Sequence, residues 1–384
     1  MVTRVPVAPG LLEWALERSG KSTDDFQSHF GAWDRWVAGR AEPTLKQVEE
    51  IARYAHLPFG VLFLPEPPAV ELPIPDYRLG VDGDAREPSQ DLLDVIDISI
   101  QRQAWFVDYA ERNQVGAAAI RRWDYAADVT EVARGIEEEL GYGVDQRVGM
   151  SRTDARNHLR RRFEAIGGLP VFTSLVGNNT HRLLSRAEFR GFTLANDVAP
   201  LIFVNTNDDT LSGQIFTFLH EYAHVVRGQS GVSDEDPTES IDSGVEGWCN
   251  AVAGEVLVPE ADLRNHYRAT VDLTAELDRL AARYHCSTLV VLLRLLTAGL
   301  LARDGFGDVY AAERDRVDEI LRRQPRREGG DFYRNQPFRV GEKLSRVVLA
   351  ELAAGRASYT DTFKLLGLRS VSQLDTYGNT LGVA

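Results

Sequence analysis

The sequence predicts an α+β fold that is mainly helical, with a small sheet beside one helix that carries a metal-binding pattern. Three observations predict it. Apolar residues recur at helical spacing along most of the 384-residue chain. Only three short runs, 169–172, 189–194 and 201–205, have the aromatic and β-branched character of strands. The run His220-Glu221-Tyr222-Ala223-His224 follows the last of these within one helical stretch.

The elements follow in order. Leu11, Leu12, Trp14 and Ala15 open a short helix, and Leu45, Val48, Ile51 and Ala52 mark another. Ten of the sixteen prolines lie at or before Pro88, and Pro65, Pro67, Pro68, Pro73 and Pro75 form a stiff connector. Helix is expected over 90–113, with Leu92, Val95, Ile96, Trp105 and Tyr109 on it. A basic helix over 153–165 ends at Gly167 and Gly168. After the strands, helix is expected over 210–227, then an acidic loop over 228–242. A second helix over 244–258 stops near Pro259. Residues 273–302 and 309–323 read as helices, Gly329 and Gly330 as a break, and 340–384 as helix-prone.

Composition excludes several classes. At roughly 100–200 residues per domain, two or three domains are expected. With 43% hydrophobic and 26% charged residues, the chain can bury real cores. A net charge of −14 argues against a general nucleic-acid or anionic-membrane binder. Two cysteines, Cys249 and Cys286, exclude a disulfide scaffold and fit a reducing compartment. The N-terminus lacks an apolar signal core, and the most apolar stretch, 289–301, is short of the roughly 20 residues of a span and carries Arg294. A soluble, cytoplasmic protein without a membrane partner is expected.

Residues four apart on a helix lie one above the other, so His220 and His224 can reach one metal ion. Leu211, Ile215, Phe218, Tyr222 and Val225 form an apolar stripe. Thr217, His220 and His224 lie opposite it, with Glu221 on its flank, so one face is expected to pack and the other to present ligands. Eight histidines are too few for such a pattern to arise often by chance.

Catalytic zinc takes three protein ligands and keeps one open position. The HExxHxxGxxH pattern would need glycine and histidine where Arg227 and Ser230 stand, so the third ligand comes from elsewhere. Glu246, in the first turn of the next helix, is the best candidate. Glu255 lies nine residues on and half a turn round; Asp242 is a weaker, loop-borne alternative. Cys249 reads as a packing residue between helices, and His181, His266 and His285 as surface or packing residues. The strand over 201–205 precedes the active helix and is expected to pair with an extended peptide.

Four runs carry a resemblance: Glu188-Phe-Arg-Gly-Phe192, Ala199-Pro-Leu-Ile-Phe-Val-Asn205, Phe216-Thr-Phe-Leu-His-Glu-Tyr-Ala-His224, and the stretch from Glu246-Gly-Trp-Cys-Asn250 to Pro259. In order and spacing they resemble the ImmA/IrrE family of bacterial zinc metallopeptidases, most strongly over 159–259. The resemblance implies a zincin-like peptidase domain with zinc on His220, His224 and Glu246, and Glu221 as general base. It also implies a helix-turn-helix repressor as protein substrate, cleaved during stress or induction of mobile elements. Leu11-Leu-Glu-Trp-Ala-Leu-Glu-Arg-Ser-Gly20, Trp36-Val-Ala-Gly39, Pro43-Thr-Leu45 and Pro58-Phe-Gly60 are similar to the Xre-type helix-turn-helix of longer homologues. Leu72-Pro-Ile-Pro-Asp-Tyr-Arg78 resembles their connector. The expected organisation is an Xre-like domain at 1–68, a Pro-rich connector and helical linker at 69–140, the peptidase domain at 141–268, and a helical C-terminal region at 269–384.

One departure matters. Only four residues separate Gly31 from Trp36, about a turn fewer than a typical Xre recognition helix holds before its tryptophan. Residues 1–68 hold seven Lys/Arg and nine Asp/Glu, a balance that gives phosphates little attraction. A partner-binding helical module is therefore set against DNA binding. The rival to an endopeptidase is an Xre-family regulator or antitoxin whose peptidase-like domain binds a partner such as a toxin. Residues 277–301 also have a helix-turn-helix rhythm, read as structural. Arg322, Arg323, Arg326 and Arg327 read as a solvated helix end.

Overall fold

The computed structural model describes residues 3–78, 87–124, 126–207, 210–233, 244–323 and 330–383. Asp242, Arg326 and Arg327 lie outside the described residues. The chain divides into two compact units, Met1–Pro73 with Ala85–Asp97, and Ile74–Asp84 with Ile98–Ala384.

The first unit contains α1 (Pro9–Ser19), α2 (Thr23–His29), α3 (Trp33–Val37) and α4 (Leu45–Tyr54). Sequence sets their starts. Pro9 begins α1, while Ser22 with Asp25 and Thr44 with Gln47 form reciprocal caps that satisfy the first N–H groups of α2 and α4. The core is aromatic: Trp14, Phe26, Phe30, Trp33 and Trp36 are buried with Leu11, Leu12, Val48 and Ile51. Helix α3 has five residues, and both of its tryptophans point into this core.

The helices after the connector are α5 (Gln90–Arg112), α6 (Val129–Leu140), α7 (Val144–Arg147) and α8 (Arg152–Ala165). A sheet follows in the second unit, from β1 (Leu169–Thr173), β4 (Gly191–Leu194), β5 (Leu201–Asn205) and β6 (Gly231–Ser233), in the order β1-β5-β4-β6. β1 runs parallel to β5, and β4 is antiparallel to both β5 and β6. β2 (Leu175–Val176) and β3 (Asn179–Leu183) form a separate hairpin. This arrangement corrects two expectations. β5 is interior, with neighbours on both sides, so its backbone groups are already used and it offers no edge to a peptide. The stretch after the helix that carries His220 and His224 is not all loop: β6 forms there because Val232 is buried and its backbone completes the ladder to β4.

Helix α9 (Leu211–Arg227) packs against β4 and β5 of the sheet. Thr210 caps its first turn, accepting from the Gly213 N–H at 2.9 Å, and Gly228, at φ 70°, ends it in the left-handed conformation. Residues Gln214 through Val226 are all buried. The expected packed face and ligand-presenting face are therefore both interior. β4 and β5 lie against one side, α8 and α10 (Gly244–Leu257) against the others.

After α10 come α11 (Glu260–His266), α12 (Leu273–Tyr284), α13 (Thr288–Thr297) and α14 (Phe306–Arg323). The expected helix over 273–302 is broken. His285 takes φ 57°, and Ser287 caps a new helix by accepting from the Val290 N–H at 3.2 Å, giving a bend of 102°. Leu277, Leu280, Val291 and Leu295 share one core with Phe218, Tyr222, Val252 and Val256. The run closes with α15 (Phe332–Arg339), α16 (Glu342–Ala353), α17 (Tyr359–Leu366) and α18 (Val371–Leu381). Among the described residues no single helix is long and apolar enough to cross a membrane.

Candidate metal centre

His220 and His224 stand one turn apart on α9, and Glu246 reaches them from the first turn of α10. The Nε2 atoms of the two histidines are 3.2 Å apart. Glu246 Oε2 lies 3.0 Å from His220 Nε2, and Glu246 Oε1 lies 3.0 Å from His224 Nε2. All three side chains are buried. These spacings have a physical meaning. A tetrahedral ion with ligands at about 2.0–2.1 Å has ligand-to-ligand edges of about 3.3 Å. Two nitrogens and a carboxylate also form a donor set that zinc accepts. Among the described residues this is the only His, Cys, Asp and Glu cluster with metal-binding spacing.

The surroundings fix the donors. His220 Nδ1 lies 2.8 Å from Asn250 Oδ1, so in the neutral ring Nδ1 carries the proton and Nε2 keeps its lone pair. Asn250 sits one turn beyond Glu246 on the same face of α10, a spacing by which the sequence could have pointed to it. Burial lowers the His220 pKa, but Glu246, with Glu221 and Asn250, raises it to about 9, so Nε2 offers its lone pair to a metal only by giving up a proton. Burial likewise raises Glu246, and the two histidines together outweigh it, holding the carboxyl at about 2.

Glu221 is fully buried beside the ligands. The Thr193 hydroxyl of β4 donates to its Oε2 at 2.8 Å. Burial pushes its pKa up to about 8, with the His220 charge and the Thr193 hydroxyl working against the rise. A small pocket opens here, lined by Arg190, Phe216, Thr217, His220, Glu221 and Ser233. Gly191 lets β4 lie this close to α9. A Cβ there would stand 2.8 Å from Glu221 Oε1, from the Phe203 carbonyl oxygen and from Thr217 Cγ2. Gly191→Ala is expected to cost about 1–3 kcal/mol through overpacking, read as a lowered urea midpoint.

The other candidates lie elsewhere. Glu255 pairs with Arg294 and accepts from the Glu260 N–H at 3.2 Å. Cys249 is buried in the helical core and forms no disulfide. His181 is exposed on β3, His266 lies 2.8 Å from the Asp262 carbonyl oxygen, and His285 ends α12.

The sequence reading placed Tyr77, Arg190 and Thr193 in runs it singled out but gave none of them a role in the site. Thr193 and Arg190 come from the strand region before the helix, and Tyr77 from the Pro-rich connector. Its segment pairs with β6 through an Asp76–Val232 bridge, and its ring stacks on His224. A one-dimensional pattern carries no signal for such long-range contacts.

Residues 171–296 match the Peptidase_M78 family model, described as an IrrE N-terminal-like domain. The match runs from β1 to α13, takes in the whole cluster and supports the ImmA/IrrE resemblance of this region and a metallopeptidase-like activity. It does not reach the N-terminal unit. No curated protein matches the chain significantly.

Proposed function

We propose that the chain is a zinc-dependent endopeptidase, of the HExxH-plus-Glu type, that cleaves a helix-turn-helix transcriptional repressor in a stress or mobile-element response. The observation that carries the proposal is the convergence of His220 Nε2, His224 Nε2 and the Glu246 carboxylate at 3.0–3.2 Å, with Glu221 next in sequence to the first of them. Zinc held by these three residues supplies a Lewis acid that makes water a nucleophile near neutral pH and polarises the scissile carbonyl. With the charge of a bound zinc beside it, Glu221 would be ionised despite the burial that raises its pKa, and would take the proton of the attacking water and pass it to the leaving nitrogen. Thr193 holds the Glu221 carboxylate in one orientation. A pure binding module has no use for such a buried carboxylate. The repressor substrate is inferred from the family resemblance alone. Metal analysis of the purified chain, then incubation with candidate repressors and mass spectrometry of the fragments, tests the reading. One equivalent of zinc and defined cuts are expected; a metal-free or inert chain counts against it.

The second reading is an Xre-family regulator or antitoxin, favoured by the separate helical unit at the N-terminus. Two features weigh against direct operator binding: α3 has five residues with both tryptophans buried, and residues 1–68 have an acidic balance. The N-terminal unit is better suited to docking a protein partner. The full chain is expected to leave no sequence-specific footprint on operator DNA at nanomolar concentration and physiological salt; a clear footprint would favour the regulator.

A further inference from the structure

We propose that Tyr77, on the Pro-rich connector, is the positioning residue for the His224 ligand, so that the connector completes the metal site. The inference rests on the zinc reading above. The two histidines are held differently. His220 has Asn250 on its Nδ1 at 2.8 Å. His224 Nδ1 is buried and has no hydrogen-bond partner among the described residues. A ligand imidazole is normally oriented by a hydrogen bond on its second nitrogen. For His224 a stack takes that role: the Tyr77 ring lies over the imidazole with centroids 5.6 Å apart and planes inclined by 15°. That separation falls in the range where aromatic rings attract beyond simple burial.

The stack orients His224 only if Tyr77 is itself fixed, and three features fix it. The Tyr77 N–H donates to the Val232 carbonyl at 3.0 Å, and the Val232 N–H donates to the Pro75 carbonyl at 3.0 Å. The next residue, Arg78, has a side chain only 1% exposed, with Nη2 2.6 Å from Asp76 Oδ2 and Nη1 3.4 Å from Glu188 Oε1. Removing a buried arginine from both carboxylates is costly, so the segment is anchored and is no loose strap. The ring also has a space kept for it. A Cβ on Gly231 would stand 2.2 Å from Tyr77 Cε2 and 2.4 Å from Cδ2. Glycine at 231 is therefore a condition for the stack. The same pairing occupies the outer edge of β6 at Val232.

The test is zinc affinity of the full-length chain by competition with a chromophoric chelator, with thermal unfolding of each variant alongside. Tyr77→Ala and Gly231→Ala are each expected to weaken zinc about 10–100-fold, the usual effect of losing a group that orients a ligand. Tyr77→Phe keeps the ring and is expected to keep near-wild-type affinity. In the Tyr77→Ala background, Gly231→Ala is expected to cost nothing more, because the ring it displaces is already gone. If Tyr77→Ala does not fold, Tyr77→Leu, which keeps bulk without an aromatic plane, carries the comparison. Wild-type affinity in the alanine or leucine variant overturns the proposal. So does an additive double variant, or a Tyr77→Phe loss as large as that of alanine. A wild-type chain that takes up no zinc overturns the site reading itself, a failure visible before any variant is compared.

Discussion

Zinc-loaded Glu221→Gln retains its metal and its fold and loses peptide cleavage by about 10²–10⁴-fold. Glu221 is not one of the three convergent donors, so the substitution leaves the ligand set intact. Glutamine has nearly the same volume, and its side-chain oxygen can still accept from the Thr193 hydroxyl, which now donates to Oε2 at 2.8 Å. What it cannot do is take a proton. Glu221 is also fully buried, and burial raises its pKa, so the neutral amide is expected to leave the unfolding temperature unchanged or raised. The measurements are zinc content, thermal unfolding and fragment yield for both proteins at equal concentration. In cells, the level of the target regulator reports the same difference. A regulator or antitoxin acting by binding would be indifferent to this substitution, and an unaltered phenotype would move the assignment to that reading.

His224→Ala abolishes high-affinity zinc binding, with a loss of several orders of magnitude, because a three-ligand site depends on all three. His224 is the more buried of the two histidines, and its Nε2 lies 3.0 Å from Glu246 Oε1 and 3.2 Å from His220 Nε2. Removing it leaves two donors and a space beneath Tyr77. Metal content after dialysis against a chelator reads the effect. Full zinc retention in this variant would place the metal elsewhere.

Much of this architecture was legible in the sequence because its signals are local. Thr210 and Gly228 bracket the active helix, Pro259 stops the next one, and the strand over 201–205 sits where its apolar run placed it. His220, His224 and Glu246 come together because helical spacing and a turn back of the chain are both readable. Three things were hidden. The peptide-pairing role expected of residues 201–205 failed because strand order is a tertiary property: a run of apolar residues does not say whether it lies inside a sheet or at its edge. The strand Gly231–Ser233 has three residues and an acidic stretch after it, too short for a period-two pattern to register. Tyr77 and Thr193 reach the site across long sequence separations, through contacts that no spacing rule encodes.

The central claim, that the His220–His224–Glu246 centre with Glu221 hydrolyses peptide bonds, is tested most directly by exposing a proteome-derived peptide library and a helix-turn-helix repressor to zinc-loaded full-length chain in ¹⁸O-water, with Glu221→Gln in parallel. Mass spectrometry identifies every new C-terminus and its isotope. The expected result is a defined set of cuts bearing ¹⁸O with the wild type, lost on chelation and absent with Glu221→Gln. Contradiction would take one of two forms: a fully zinc-loaded wild type that cuts nothing in either sample, or the same cuts made equally well by Glu221→Gln.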